Sequence, residues 1–407
     1  MLTELVATTG AGEGLVSQLS RASHDAFRHR TLFYGTSGEF LADCLDFVRG
    51  GLTAGEPVLV AVPGPNLAPM RARLGESGKR VSFLDMSIAG RNPGRVISGV
   101  LRPFLDEHAG RPVRIIAEAT WPGRTAMEYP ACIQHEALVN LSFTGQNASL
   151  LCPYNAVALA PSVLMDAART HPVIVQGGRP ANSASYGDPM HVAQDYNRPL
   201  PEPPVVGDTI LIDAAATPRT VRRFVHGAGR SAGMEAGKLA DLLLAVDEIV
   251  MNTIVHTHRP GILTIWQEGD WVACEVQDSG HILDPLVGRR PATPFDVRPR
   301  GLRLVHDVCD LVRMHSDETG TTIRVWVRLH DGPPTPLGQV QDRQAEPGRR
   351  DDAGHEQLDR EHVLRRVDHP REVGVDESAT QAFFPGVAPR PVLHHGERAL
   401  NADGDAE

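Results

Sequence analysis

Lysine is nearly absent: of the 40 basic side chains, only Lys79 and Lys238 are not arginine. With Ala, Gly and Pro abundant, this bias reads as the codon usage of a high-GC bacterial genome rather than a device for binding anything. Long apolar runs are missing too. Stretches such as Pro57 to Pro63 and Leu242 to Val246 fall far short of the roughly 20 residues a bilayer needs, so no transmembrane helix and no membrane partner is expected. Cysteine pairs are lacking: Cys44, Cys132, Cys152, Cys274 and Cys309 are scattered and odd in number. They fit neither a disulfide framework nor a zinc knuckle and are expected as reduced, mostly buried thiols. The N-terminal segment carries Glu4, Glu13 and Asp25 and no continuous apolar run behind a basic start. No secretory signal is visible there, and a cytoplasmic location is expected. Positive charge is also short. The chain carries −10 overall, and 16 acidic against 9 basic residues from Asp331 to Glu407 account for most of it. The remainder is close to neutral, which disfavours direct nucleic-acid binding.

What is present is a globular composition, 41% hydrophobic and 22% charged over 407 residues, enough for two or three domains. Residues 27–187 alternate short apolar runs (LFYG, PVLVAV, VSFLDM, VRIIAEA, SLLCPY) with helical periodicities (EFLADCLDFVRGGL, NLAPMRARL, ISGVLRPFLDEH, QHEALVNLSF). That order predicts βαβ units and a mostly parallel sheet covered on both faces. Residues 188–207 are rich in Pro and Asp and read as a linker. Residues 208–330 form a second segment, residues 1–26 an N-terminal extension, and 331–407 a tail with too few apolar residues to fold, apart from a short helix near 356–367.

The second segment carries the clearest chemistry. In LADLLLAVDEIVMNTIVHTH (239–258) Leu242, Leu243, Leu244, Val246, Ile249 and Val250 supply the apolar side of a helix, while Ala245, Glu248, Asn252 and His256 share another face. A carboxylate and a carboxamide one turn apart can orient a hydroxyl beside a magnesium ion. Alone, that spacing is ordinary surface polarity; its surroundings set it apart. Two strand-like runs, ILTIWQE and WVACEVQ, flank Gly269-Asp270 as in a hairpin, and the second ends at Asp278-Ser279-Gly280. Gly301-Leu302 then opens an amphipathic helix whose N-terminus offers free N–H groups to phosphates. A closing strand starts at Gly320-Thr321-Thr322. His256 and His258 would point about 200° apart on a helix, which argues against a metal pair.

This order resembles the ATP-binding domain shared by histidine kinases, gyrase and Hsp90 chaperones, and within it the RsbW-like anti-sigma-factor serine kinases. The resemblance implies an α/β-sandwich, ATP and Mg²⁺ as cofactors, and a role for each matching residue. Glu248 would be the general base toward a serine hydroxyl and Asn252 the Mg²⁺ ligand. Asp278 would bond the adenine amino group, Gly280 would let the base approach, Gly301 would cap the phosphates, and Leu302 beside it would be a further cofactor-binding position. Thr322 would sit near the adenine. Ile282 replaces the usual second glycine of the first glycine box. Pro299 stands where a glycine often precedes Gly301, removing an N–H donor. The implied partners are a sigma factor and an anti-sigma antagonist protein, with a homodimer through the kinase domain. A non-catalytic partner-binding regulator with a degenerate ATPase fold is the competing reading. A sensor histidine kinase fits less well, because no helix with a phosphoacceptor histidine has room before residue 208.

In the first segment, Gly35-Thr36-Ser37-Gly38-Glu39 has the layout of a RecA-like phosphate loop without its lysine, so hydrolysis there is not expected. RIIAEATWPGR, EYPACIQHEALVN, LCPYN and THP (170–172) together resemble the MEDS sensory domain, a bacterial module that often precedes an anti-sigma kinase. Glu118, Trp121, Arg124, Glu136, Cys152 and Tyr154 are candidates to line a pocket for a small-molecule signal at the strand ends. The alternative reading makes Trp121 and Tyr154 core aromatics and Glu136 a solvated helix residue, with His135 on the surface.

Overall fold

The computed structural model describes residues 27–204, 207–213, 218–257, 259–290 and 301–332. The N-terminal extension, the tail beyond residue 332 with its expected short helix, His258, Pro299 and Arg300 lie outside these residues. Everything described falls in one compact unit. No helix among the described residues is long and apolar enough to cross a membrane.

The apolar runs of the first segment form strands because they are buried on both faces. β2 (Val58–Val62) has every residue buried, as parallel strands roofed by helices require. With β1 (Phe27–Tyr34), β3 (Val81–Asp85), β4 (Val113–Ala117), β5 (Ala148–Asn155), β6 (Val173–Gln176) and β7 (Arg179–Asn182), it makes a seven-stranded sheet in the order β3-β2-β4-β5-β1-β6-β7. All pairings are parallel except the β6–β7 hairpin. Side-chain alternation divides the interior. Leu32, Val58, Val60, Val62, Ile116 and Leu151 pack beneath helix Ser37–Thr53, while Leu59, Ala61, Ile115, Ala117, Leu150 and Tyr154 meet helix Tyr129–Ser142 on the other face.

Residues 188–207 are not simply a linker. Asp188 caps a helix, Pro189–Asp195, by accepting from the His191 N–H at 2.9 Å, and Val192, Ala193 and Tyr196 are buried in the first domain's core. The three apolar residues outweigh the Pro and Asp content that suggested a connector.

The second segment is an antiparallel sheet, β11-β12-β10-β9-β8, built from β8 (Asp208–Ile212), β9 (Gly261–Glu268), β10 (Trp271–Asp278), β11 (Leu311–Asp317) and β12 (Gly320–Arg328). β9 and β10 meet at the expected two-residue turn, with Glu268 paired to Trp271 and Gly269 at φ 59°. Helices Pro218–Ser231, Ala236–His256 and Gly301–Val308 cover one face, sealing Leu242, Val246, Ile249, Val250, Val276, Val305 and Val325. Leu244, expected on the apolar side, is 40% exposed instead.

The other face of this sheet is not left to solvent. Trp266, Trp271 and Trp326 lie with Ala131 and Met127 of the first domain. The Arg324 guanidinium sits 5.0 Å from the Trp266 ring and 5.6 Å from Trp326 and pairs with buried Glu275 at 2.5 Å. Arg313 donates to the Met127 carbonyl at 2.6 Å, so the first domain's helix N-terminus and the second domain's sheet share one apolar layer.

Candidate functional site

Helix Ala236–His256 buries Leu239, Leu242, Val246, Ile249, Val250 and Thr253 at three- and four-residue steps, leaving Glu248 and Asn252 half-buried on an adjoining stripe. Helix Gly301–Val308 begins directly opposite them. A Cβ at Gly301 would lie 3.0 Å from Glu248 Oε2 and 3.6 Å from Asn252 Oδ1, so only glycine lets the approach be this close without a shift. The first N–H groups of a helix have no partners within it, and here they open beside a carboxylate and a carboxamide.

Asp278, at the end of β10, is fixed from two sides. Thr253 Oγ1 donates to Oδ2 at 2.6 Å and the Gly280 N–H donates to Oδ1 at 2.8 Å. Each oxygen keeps acceptor capacity for a further donor. Behind it, Thr321 Oγ1 donates to the Gly280 carbonyl at 2.8 Å and bonds Ser316 Oγ at 2.7 Å. Ser316 Oγ also accepts the Ile282 N–H at 2.8 Å. Ile282 therefore contributes its backbone to the frame and its half-buried side chain to the core.

Two expected positions turn their side chains away from the Asp278–Gly301 cleft. Ile323, Val325 and Val327 face the helices, so by strand alternation Thr321 does as well. Thr322 pairs with Gln277 and His315 on the opposite face, and Thr321 occupies the place beside Asp278 assigned to it. Leu302 is 8% exposed within the core cluster, where it anchors the helix that Gly301 starts. His256 is exposed at the end of its helix.

In the first domain, Glu39 fills the phosphate-loop position. Its Oε2 accepts from the Gly35 N–H at 2.7 Å and the Thr36 N–H at 3.2 Å, while Thr36 Oγ1 accepts the Glu39 N–H at 3.2 Å. This capping box occupies the donors a phosphate would need. The chain's own carboxylate is the anion at that helix N-terminus.

The six residues proposed for one sensory pocket separate into three places. Glu118, buried at the end of β4, accepts from Asn66 Nδ2 at 2.8 Å, and burial pushes its carboxyl up to about 7. Arg124 stacks 3.7 Å over the Trp121 ring and donates to the carbonyls of Ala119, Arg91 and Gly90 and to Glu128, which makes the pair a loop brace. Glu136, Cys152 and Tyr154 do come together, fully buried, and Glu136 and His135 are interior rather than solvated.

Two residues not proposed for the pocket complete that cluster, His29 and His171, both buried. Tyr154 donates to Glu136 Oε1 at 3.1 Å. Burial alone would raise the Glu136 carboxyl, but the adjacent imidazoles of His171 and His29 outweigh it and hold it well below its ordinary value. Burial, with His171 adding to it, pushes His29 down to about 4, and burial raises the Cys152 thiol. His171 follows directly on the Thr170 that ends helix Pro161–Thr170. Its signal in the sequence is the THP run (170–172), in which nothing local marks the histidine as a donor.

Comparison with known families agrees with these two folds. Residues 28–172 match the family described as MEDS, the methanogen/methylotroph, DcmR sensory domain, and residues 213–327 match the histidine kinase-like ATPase domain. The chain thus carries a region that matches MEDS followed by one that matches the histidine kinase-like ATPase domain. Among solved structures, the RsbU and RsbW domains of Rv1364c from Mycobacterium tuberculosis are similar at 22% identity with a TM-score of 0.25. That match covers 33% of this chain and 35% of that one. No curated protein matches. Within the ATPase domain, Glu248, Asn252, Asp278, Gly280 and Gly301 lie around one edge of the helix layer, and the MEDS domain closes the far face of its sheet.

Proposed function

We propose that the chain is an ATP-dependent anti-sigma regulator: a serine/threonine protein kinase that binds a sigma factor, phosphorylates its antagonist and is controlled by the MEDS domain. The observation that carries the reading is the convergence of Glu248 and Asn252, one turn apart, on the N-terminus at Gly301. These residues fit a nucleotide: a glycine cradle, a carboxamide for a magnesium ion, and a carboxylate with free acceptor sites for a base.

Asn252 would hold Mg²⁺, the N–H groups from Gly301 would receive phosphate oxygens, and Asp278 would accept from the adenine amino group. Glu248 would take the proton of an incoming serine hydroxyl. Mg-ATP, when bound, supplies the phosphoryl group. Thr253 and Thr321 keep Asp278 and Gly280 in place. Between the two domains the only helix among the described residues is Pro189–Asp195, buried by the MEDS core, which supports a serine kinase over a histidine kinase with its own phosphoacceptor helix.

The test pairs two variants with calorimetric titration of Mg-ATP and a phosphorylation assay on candidate antagonists. Asn252→Ala is expected to lose nucleotide binding. Glu248→Gln is expected to keep binding and to lose phosphate transfer. Binding without any transfer in the unaltered protein moves the reading to a partner-binding regulator, and no binding at millimolar ATP removes the nucleotide site.

A further inference from the structure

His29, Glu136, Cys152 and His171 form the one group of three or more potential metal donors brought together among the described residues, with one ligand atom from each all within 4.8 Å of one another. They come from β1, helix Tyr129–Ser142, β5 and the segment entering β6, and each is at most 2% exposed. The distances are telling. His29 Nε2 lies 3.5 Å and His171 Nε2 3.4 Å from Glu136 Oε2, and His29 Nε2 is 3.3 Å from Cys152 Sγ. Bonds of about 2.0–2.1 Å to nitrogen or oxygen and about 2.3 Å to sulfur give tetrahedral edges of about 3.3–3.5 Å. Three of the six donor pairs already stand at that spacing, and every pair lies within 4.8 Å.

Hydrogen bonding around the cluster fixes which atoms are free. Asn140 Nδ2 donates to the carbonyls of Glu136, Ala137 and Thr170, so its Oδ1 is the acceptor that meets His29 Nδ1 at 3.1 Å. His171 Nδ1 lies 2.7 Å from the Ala167 carbonyl, which can only accept. Both imidazoles therefore donate from Nδ1 and turn Nε2 inward toward Glu136 Oε2. Glu136 Oε1 is engaged by Tyr154, while Glu136 Oε2 and His171 Nε2 make no hydrogen bond although both are buried. Two buried polar atoms are thus left without a partner in a dry interior, and a cation at the centre would give both one. Outer partners that orient ligating histidines are the usual accompaniment of a metal.

We infer that the MEDS domain binds one divalent transition ion of the zinc type through His29 Nε2, His171 Nε2, Glu136 Oε2 and Cys152 Sγ. Two imidazoles, a carboxylate and a thiolate suit zinc rather than the oxygen-seeking magnesium or calcium. Four protein donors in a closed site tie β1, β5, the segment entering β6 and helix Tyr129–Ser142 together. Cys152 loses its proton on binding, since the thiolate is the ligand.

The full chain, produced with added zinc and dialysed, should retain one zinc per chain by elemental analysis. Replacing zinc by cobalt should give tetrahedral d–d absorption with a sulfur-to-cobalt charge-transfer band. Cys152→Ser should lose that band while keeping the far-ultraviolet circular dichroism of the parent. Should that variant not fold, X-ray absorption of the unaltered zinc form is the second measurement, with a sulfur shell expected at about 2.3 Å beside nitrogen and oxygen at about 2.0 Å. Zinc far below stoichiometric, a charge-transfer band that survives in Cys152→Ser, or a zinc shell without sulfur would overturn the assignment. None of these outcomes depends on ATP binding.

Discussion

Asn92 donates from Nδ2 to the His306 carbonyl at 2.9 Å, and both side chains are sealed from solvent. Asn92 belongs to the MEDS domain and His306 to the helix that starts at Gly301, so the sensory domain grips the element proposed to receive phosphate. Gly94 approaches the His306 ring so closely that a Cβ there would collide with it, and Arg91 pairs with buried Asp310 at 2.9 Å. Asn92→Ala leaves the His306 carbonyl without its donor, and the expected loss is about 1–3 kcal/mol. It should lower the melting temperature and weaken Mg-ATP binding several-fold, against an Arg102→Ala control at a surface pair. Unchanged affinity with lowered stability would confine this contact to structure.

His306 also sets a pH response. Burial, with Arg289 adding to it, holds its imidazole well below the ordinary 6.5. The unfolded chain takes up that proton near 6.5 while the folded chain does not, so stability falls as pH drops below that value and is recovered above it. Denaturation midpoints should decline between pH 7 and 5, and His306→Asn should flatten the decline. An equal slope in the variant would assign the effect to other groups.

Glu118 acts with the opposite sign. Its folded value of about 7 stands above the ordinary 4.5 because of burial, so the unfolded chain gives up the proton first and stability falls as pH rises from 4.5 through 7. Glu118→Gln keeps an acceptor for Asn66 and removes the charge. It should stabilise the protein at pH 8, with an upper bound of about 3 kcal/mol, and have little effect at pH 4. Urea midpoints at the two pH values measure this directly.

Thr321 and Thr322 are adjacent and should behave differently. Thr321→Val removes the 2.8 Å bond to the Gly280 carbonyl and the 2.7 Å bond to Ser316, and a net loss of about 1 kcal/mol per bond would weaken nucleotide binding roughly five- to thirty-fold. Thr322→Val, on the far face, should leave affinity within about two-fold. The reverse ranking in a calorimetric titration would place the base elsewhere.

That pair also marks how far the sequence could be read. The placement of Glu248 and Asn252 on one helix, of Asp278 at a strand end and of Gly301 at a helix start is legible because helical spacing and strand ends are local, and the alternation of apolar runs with helical periods announces the parallel sheet. A strand side chain changes face with a single residue, and nothing in Gly320-Thr321-Thr322 fixes which threonine turns inward until β12 is paired to β10. The metal cluster was half visible: Glu136, Cys152 and Tyr154 were grouped, but with Glu118, Trp121 and Arg124, which topology sends elsewhere. His29 and His171 were missed because they reach Glu136 only through the sheet order β5-β1-β6. His135, next to Glu136 in sequence, is not in the cluster.

Glu39 gives the last prediction. It occupies the helix N-terminus where a RecA-like fold would hold phosphate, and it does so by accepting the Gly35 and Thr36 N–H groups. Removing it by Glu39→Ala breaks the capping box and should cost about 1 kcal/mol of stability. Because the loop still lacks a lysine, the change should create no second nucleotide site. Calorimetry on the variant should therefore report one Mg-ATP per chain with the affinity of the parent, lost again when Asn252→Ala is added. A second binding event in Glu39→Ala would mean that the first domain's loop is held shut by this one carboxylate rather than built without a nucleotide site.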